Sequence, residues 1–277
     1  MARIFSLIWI AALTLAGAFI LLLLSVGRAE EVQYPPDFTS AMSVDIVFIG
    51  SSLAGTALPA TELMQGTLGD GRSSAILSVE GIPEWLTTRL LTDAIDSGAK
   101  TIFLEINAYA HDYVFGAEPA FVNAITRAMR EAGEILTLKI RVIFNFRTRV
   151  VRFGAMNMDG TFDPKQLRPI DYYRFKTIEP TYGDELQAQL ARAKKANVEV
   201  FFFSPPRPQS AINVIGNDEF ADLQSHMNNI AAFYDLPLWY SPIPWPDDHF
   251  MDIMAHANAR GRFRFRKELS QWYEAMQ

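Results

Sequence analysis

Cysteine is absent from the 277 residues, which excludes a disulfide scaffold, a thiolate metal site and a cysteine nucleophile. Histidine is scarce: His111, His226, His249 and His256 are the four in the chain. No Asp or Glu occurs before Glu30, and no internal repeat or low-complexity tract is found. Basic residues are not in excess either, with 25 Lys and Arg against 31 Asp and Glu and a net charge of −6, so the composition does not suggest a nucleic-acid binder. What the chain has in quantity is apolar surface. Hydrophobic residues make up 49%, enough to bury a sizeable core and to argue against disorder.

That apolar content is unevenly spread. From Ile4 to Gly27 there are 24 residues without a charge, bounded by Arg3 and Arg28. As a helix this run spans roughly 36 Å, enough to cross a hydrocarbon core of about 30 Å with some tilt. It exceeds the usual signal-peptide core of about 7–15 residues, and it has no polar face with which to sit on a globular core. The expectation is a signal anchor over residues 1–29, with residues 30–277 on the extracytoplasmic side; cleavage after Ala29 is the alternative. The free amine and Arg3 favour the amino terminus inside. Setting aside residues 1–29, which carry only Arg3 and Arg28, leaves 23 basic side chains against 31 acidic, a net −8. A mildly acidic body thus follows an acid-free leader.

Residues 30–43, with Pro35 and Pro36, read as a linker. Beyond it lie short apolar runs that fit buried strands at 44–50, 75–79, 101–106, 198–204 and 237–241, and helix-period stretches at 83–97, 117–133 and 184–196. Strands alternating with helices imply βαβ units: an α/β fold with a mostly parallel sheet flanked by helices, one domain over 44–277. Ligand sites in such sheets lie beyond the carboxyl ends of the strands. The segment 135–153 interrupts the scheme. Alternation fits its first half, but a helical wheel gathers Arg141, Asn145, Arg149 and Arg152 on one face, as on a surface helix or on one that docks to a membrane or a partner. Residues 154–183 are turn-rich, so that about 135–183 is expected to be an inserted loop region.

Chemistry is concentrated in two places. Gly50-Ser51-Ser52-Leu53 follows the first strand, where a serine can project its hydroxyl past the sheet edge or simply cap a helix. DDHFMDIMAHANARG, 247–261, gathers acids and imidazoles before the last helix. His256 and His249 are the candidate bases, His111 could line a pocket, and His226 sits mid-helix among polar residues. His249 and His256 with Asp247, Asp248 and Asp252 fit no standard metal spacing, so neither metal nor cofactor is expected.

The order of these motifs resembles the SGNH/GDSL hydrolase superfamily. Its strand–Gly-Asp-Ser-Leu is similar to Gly50-Ser51-Ser52-Leu53, with Ser52 as nucleophile. Its later glycine resembles Gly81 in SVEGIPEW, its asparagine Asn107 in FLEINAY, and its closing His-x-Asn-x-x-Gly is matched by His256-Ala257-Asn258-Ala259-Arg260-Gly261. The serine at 51 resembles the Gly-Ser-Ser variant of D-alanyl-lipoteichoic-acid transfer proteins and relatives, which are membrane-anchored and work beside membrane-bound O-acyltransferases. The resemblance implies a three-layer, flavodoxin-like α/β fold and acyl transfer through a covalent intermediate. Ser52, Asp252 and His256 would then be catalytic, and Ser52, Gly81 and Asn107 would form the oxyanion hole.

One departure matters. The family places an aspartate three residues before the histidine, where this chain has Ile253; Asp252 lies four before. Asp252 in a local bulge, Asp247, Asp248 or a simple Ser–His dyad are the possibilities, with Asp252 favoured. The expected function is a membrane-tethered esterase or acyltransferase acting on acyl esters, acetyl above all, of cell-surface glycans. Membrane contact through residues 4–27 and a membrane-bound O-acyltransferase as partner go with it, and nucleic acid does not. The alternative is a non-catalytic accessory protein that binds glycan or docks on such an acyltransferase. A third reading is a lipid esterase whose Phe, Trp and Met side chains around 239–254 form an acyl pocket.

Overall fold

A computed structural model of the chain describes residues 32–34, 43–58, 71–79, 82, 84–115, 149–150, 152–153, 173–177, 184–252 and 255–277. The leader, most of the linker, the 117–133 helix and Gly81 lie outside these. Two units are formed, residues 1–33 with 118–150, and residues 34–117 with 151–277. In the first, the described residues are the strands β1 (Val32–Gln33) and β6 (Arg149–Val150), which pair in parallel. Among the described residues no helix is long and apolar enough to cross a membrane.

The second unit is built on a six-stranded sheet. Five of its strands are parallel: β2 (Ile46–Gly50), β3 (Ser74–Ser78), β4 (Thr101–Glu105), β9 (Glu199–Ser204) and β10 (Leu238–Tyr240). They stand in the order β10-β9-β4-β2-β3, the flavodoxin-like 2-1-3-4-5 arrangement. All five fall within two residues of the apolar runs in the sequence, as expected of parallel strands covered on both faces. A short strand β7 (Arg152–Phe153) adds antiparallel to the β3 edge. The surface helix expected over 135–153 is therefore wrong at its carboxyl end, where 149–150 and 152–153 are extended. Val150 and Val151 are β-branched, and the unpaired edge of β3 offers backbone partners that a helical wheel does not weigh. Within the expected loop 154–183, β8 (Tyr173–Thr177) pairs antiparallel with β5 (His111–Phe115).

Alternation along the strands divides the core. On one face Ile46, Phe48, Ile76, Phe103, Phe201 and Phe203 pack against α1 (Ser52–Ala57) and the last helix, α7 (Ala259–Met276), through Leu53, Ala57, Phe265, Leu269 and Tyr273. Phe103 stacks on Phe48 at 4.6 Å and on Phe201 at 5.2 Å between ring centroids. Cutting such a ring back to alanine costs about 3–5 kcal/mol. On the opposite face, α2 (Glu84–Asp96) packs on β2 and β4, and α4 (Asp184–Lys195) packs on α2 and β9. The chain also forms α3 (Asn107–Ala110), α5 (Gln209–Ile215), α6 (Asn217–Phe233) and a 3-10 turn at Asp247–His249.

Register brings the carboxyl ends into line. Gly50 pairs with Ser78, Glu105 with Phe203 and Ser204 with Tyr240. The chain leaves β2 for β3 on one side and then returns to β4 on the other. That reversal opens a crevice between the carboxyl ends of β2 and β4, where doubly wound sheets bind ligands.

Candidate active site

Both sides of this crevice carry polar residues. At the end of β2 the two serines divide the roles that one serine could have taken. Ser51 is the N-cap of α1: its Oγ accepts the Leu53 N–H at 3.1 Å. Ser52, the first helical residue, is left to point its hydroxyl elsewhere, and its own N–H is one of the orphan donors of a first turn. The Ser52 Oγ lies 3.0 Å from His256 Nε2.

His256 is held from its other side. Its Nδ1 is 2.7 Å from Asp252 Oδ2, and its backbone N–H donates to Asp252 Oδ1 at 3.2 Å. A carboxylate on Nδ1 keeps the ring proton there and leaves Nε2 to accept the serine hydroxyl's proton. The imidazole is largely covered, with 13% of its side chain exposed against 37% for Asp252, so solvent reaches the acid end of the relay more than its centre.

The four-residue spacing from Asp252 to His256 has a backbone cause. Phe250 and Ala257 form an antiparallel bridge, and Met251 N–H donates to His256 O at 2.9 Å, so the intervening loop must turn back within a few residues. Ala255 does so with φ 71°, in the left-handed region that costs a residue with a Cβ about 1–2 kcal/mol. Its N–H reaches Asp252 O at 3.3 Å.

The rest of His-x-Asn-x-x-Gly anchors this loop. Asn258 caps α7, its Oδ1 accepting the Arg260 and Gly261 N–H groups at 3.0 and 3.1 Å. Its Nδ2 donates back to Asp248 O and Phe250 O. Gly261 packs so closely on the His249 carbonyl that a Cβ there would overlap it. Ala257 N–H donates to Thr56 Oγ1 at 3.3 Å, tying the residue after the histidine to the helix that carries Ser52.

The other candidates are engaged elsewhere. Asp247 Oδ1 accepts the Ser210 N–H at 2.9 Å, at the start of α5. Asp248 meets His249 Nδ1 at 2.9 Å and pairs with Arg260. Partial burial pushes its carboxyl up, but the His249 hydrogen bond and the Arg260 charge outweigh this and hold it below the ordinary carboxylate range. His249 also packs its ring on Trp245 at 5.8 Å. His226 is half-buried on α6, and His111 opens β5. Among the described residues no group of acids and histidines could hold a metal. Trp239, Trp245 and Phe250, offered as an acyl pocket, belong instead to the core packed on α1 and α7.

On the far side of the crevice Asn107 begins α3 and is buried. Its Oδ1 accepts the Ser204 hydroxyl at 3.0 Å, and its Nδ2 donates to Glu105 Oε1 at 2.6 Å. Gly81, expected to add a third oxyanion donor, lies outside the described residues. Neither Glu105 nor Ser204 stood out in the sequence as a site residue. The available signal was an acid ending an otherwise apolar buried strand, TIFLE.

No protein-family model matches the chain, and no curated protein does either. Among solved structures it is similar to an acylhydrolase from Bacteroides fragilis, at 10% identity and a TM-score of 0.41, over 83% of this chain and 86% of that one. A GDSL-like lipase from Bacteroides thetaiotaomicron is similar at 9% identity and 0.41, over 92% and 96%. Likenesses this distant carry no argument about chemistry, which rests on the residues themselves.

Proposed function

We propose that the chain is an SGNH-type serine esterase or acyltransferase, tethered to a membrane by residues 4–27 and acting outside the cytoplasm on acyl esters of cell-surface glycans. The observation that carries the chemistry is the unbroken run of hydrogen bonds from Ser52 Oγ to His256 Nε2 and from His256 Nδ1 to Asp252. In this reading His256 takes the Ser52 proton as Oγ attacks the ester carbonyl, and returns it to the leaving alcohol as the tetrahedral intermediate collapses to an acyl-serine. Asp252 keeps the imidazole in the working tautomer and stabilises its charged form. The Ser52 N–H and the Asn107 amide, with Gly81 as the third donor of the family pattern, stabilise the oxyanion. One such donor is typically worth about 2.7–4 kcal/mol of barrier. Water resolving the acyl-serine makes an esterase, and a glycan hydroxyl a transferase.

The accessory-protein alternative drew its support from the isoleucine at 253. Asp252 brings a carboxylate to the same imidazole nitrogen, so that ground no longer separates the two readings. The glycan and the membrane setting follow from the motif resemblance and the acid-free leader.

The direct test is hydrolysis of 4-nitrophenyl acetate by the full chain kept in detergent, beside Ser52→Ala and His256→Ala. The expected result is a fall of at least about 10³-fold in kcat/KM for each. Equal rates in all three proteins would overturn the enzyme reading at these residues.

A further inference from the structure

Glu105 is a buried acid that the proposed chemistry does not use. It is 1% exposed at the carboxyl end of β4, in a sheet edge where an uncompensated charge is costly. Three donors converge on it. Ser51 N–H reaches Oε2 at 2.6 Å, while Ser51 Oγ and Asn107 Nδ2 reach Oε1 at 3.0 and 2.6 Å. One carboxylate thereby joins the turn that carries Ser52 to the asparagine across the crevice. Gly50 makes the approach possible: a Cβ there would stand 2.5 Å from Glu105 Oε2 and 2.9 Å from its Cβ.

From this geometry we infer that Glu105 is the positioning residue of the site, fixing the nucleophile turn and the Asn107 amide as one unit. The inference rests on the acyl-transfer reading above. The Asn107 amide could in principle flip, exchanging its oxygen and nitrogen. Ser204 donating to Oδ1 fits one orientation, but a hydroxyl can also accept, so Ser204 alone does not choose. A carboxylate accepts only, and it rejects the flip that would set the amide oxygen against it. With Nδ2 held there, one of its hydrogens is spent on Glu105 and the second is left for an oxyanion. The same carboxylate takes the Ser51 N–H out of use and pins Ser51 as the cap, so that Ser52 alone faces His256. A merely structural acid would need neither partner to be a site residue.

Four variants of the full chain test this: Glu105→Gln, Glu105→Asp, Asn107→Ala and Glu105→Gln with Asn107→Ala. Hydrolysis of 4-nitrophenyl acetate and the melting temperature are the readouts. Glu105→Gln is expected to lower kcat on the order of 10- to 100-fold, a fraction of the loss from deleting an oxyanion donor outright, with KM within about threefold. Glu105→Asp, which keeps the charge, should recover part of that loss. In the Asn107→Ala background the Gln substitution should cost less than a third of what it costs alone, because its effect runs largely through that amide. Full additivity, or a Glu105→Gln enzyme with unchanged kcat, overturns the inference. Should Glu105→Gln fail to fold, Asn107→Asp carries the test from the other partner. A carboxyl at 107 would share one proton with Glu105, so kcat of Asn107→Asp should vary with pH where that of Asn107→Ala does not, and matching pH profiles overturn the inference. Failure of the enzyme reading itself is distinct: activity would then be indifferent to Ser52→Ala.

Discussion

At the amino end of the sheet, Arg72 donates to Thr101 Oγ1 at 3.2 Å and to Tyr273 Oη at 2.9 Å, and both hydroxyls donate onward to Glu199 Oε2. These four side chains close a ring that joins β4, β9 and α7. At the carboxyl end the bonds do not close. Ser52, His256 and Asp252 form an open line that ends on a hydroxyl oxygen, and the Asn107 amide keeps a second hydrogen beyond the one given to Glu105. Both ends belong to one sheet. A closed ring spends its donors on holding elements together, whereas the open line ends on a hydroxyl at the switch point, the group that the proposed function uses as nucleophile.

The contrast can be broken from either end. Asp252→Asn should have the largest effect, a drop in kcat on the order of 10²- to 10⁴-fold from loss of the working tautomer, while the melting temperature barely moves. A loss in stability with kcat preserved would place Asp252 with the closed, structural networks. Gly50→Ala comes next. Its Cβ would lie 2.6 Å from the Ala54 Cβ and crowd Glu105, so about 1–3 kcal/mol of stability should be lost in chemical denaturation, together with activity. Tyr273→Phe opens the ring at the other end. It should cost about 1 kcal/mol in the same denaturation experiment and leave kcat within twofold.

The smallest effect is one of pH. Asp45 also lies at the amino end, where Ser73 donates to its Oδ2 from both hydroxyl and backbone N–H, at 2.9 and 3.1 Å. Those bonds hold its carboxyl below the ordinary range, with Arg72 and Lys100 adding to the effect. A depressed folded-state value stabilises the chain above the unfolded carboxylate pKa of about 3.9, and that contribution is lost as pH falls through the folded value. Asp45→Asn should therefore lower the neutral plateau of a melting-temperature profile slightly, leave stability below the folded value almost unchanged, and so flatten the acid limb below about pH 4. An acid limb identical to that of the unsubstituted chain would remove Asp45 from this account.

The five parallel strands were legible because each is covered on both faces, so that runs such as Ile46–Ile49 and Val200–Phe203 carry little but apolar side chains. The extended pairs at 149–150 and 152–153 were not, since two-residue strands have no period and their partners are remote in sequence. At the site, His256, Asn258 and Gly261 were legible as a spaced motif whose parts have physical duties: hydrogen bonding between Ser52 and Asp252, helix cap and close packing on the His249 carbonyl. Asp252 could be favoured but not chosen, because three nearby acids compete for one imidazole and which of them meets it is a matter of loop geometry; Ala255 in that loop takes φ 71°, which nothing in its side chain announces. Glu105 was missed for a different reason. Its significance lies wholly in a cross-strand meeting with Ser51 and Asn107, and an acid ending a strand is otherwise an ordinary surface residue.

The central claim is that Ser52 is a nucleophile activated by His256. Labelling the full chain with a fluorophosphonate, followed by peptide mass spectrometry, tests it without knowledge of the substrate. The account predicts one phosphonylated residue, Ser52, and a labelling rate that falls at least about 10²-fold in His256→Ala. A label on another residue, or an unchanged rate in His256→Ala, would contradict it.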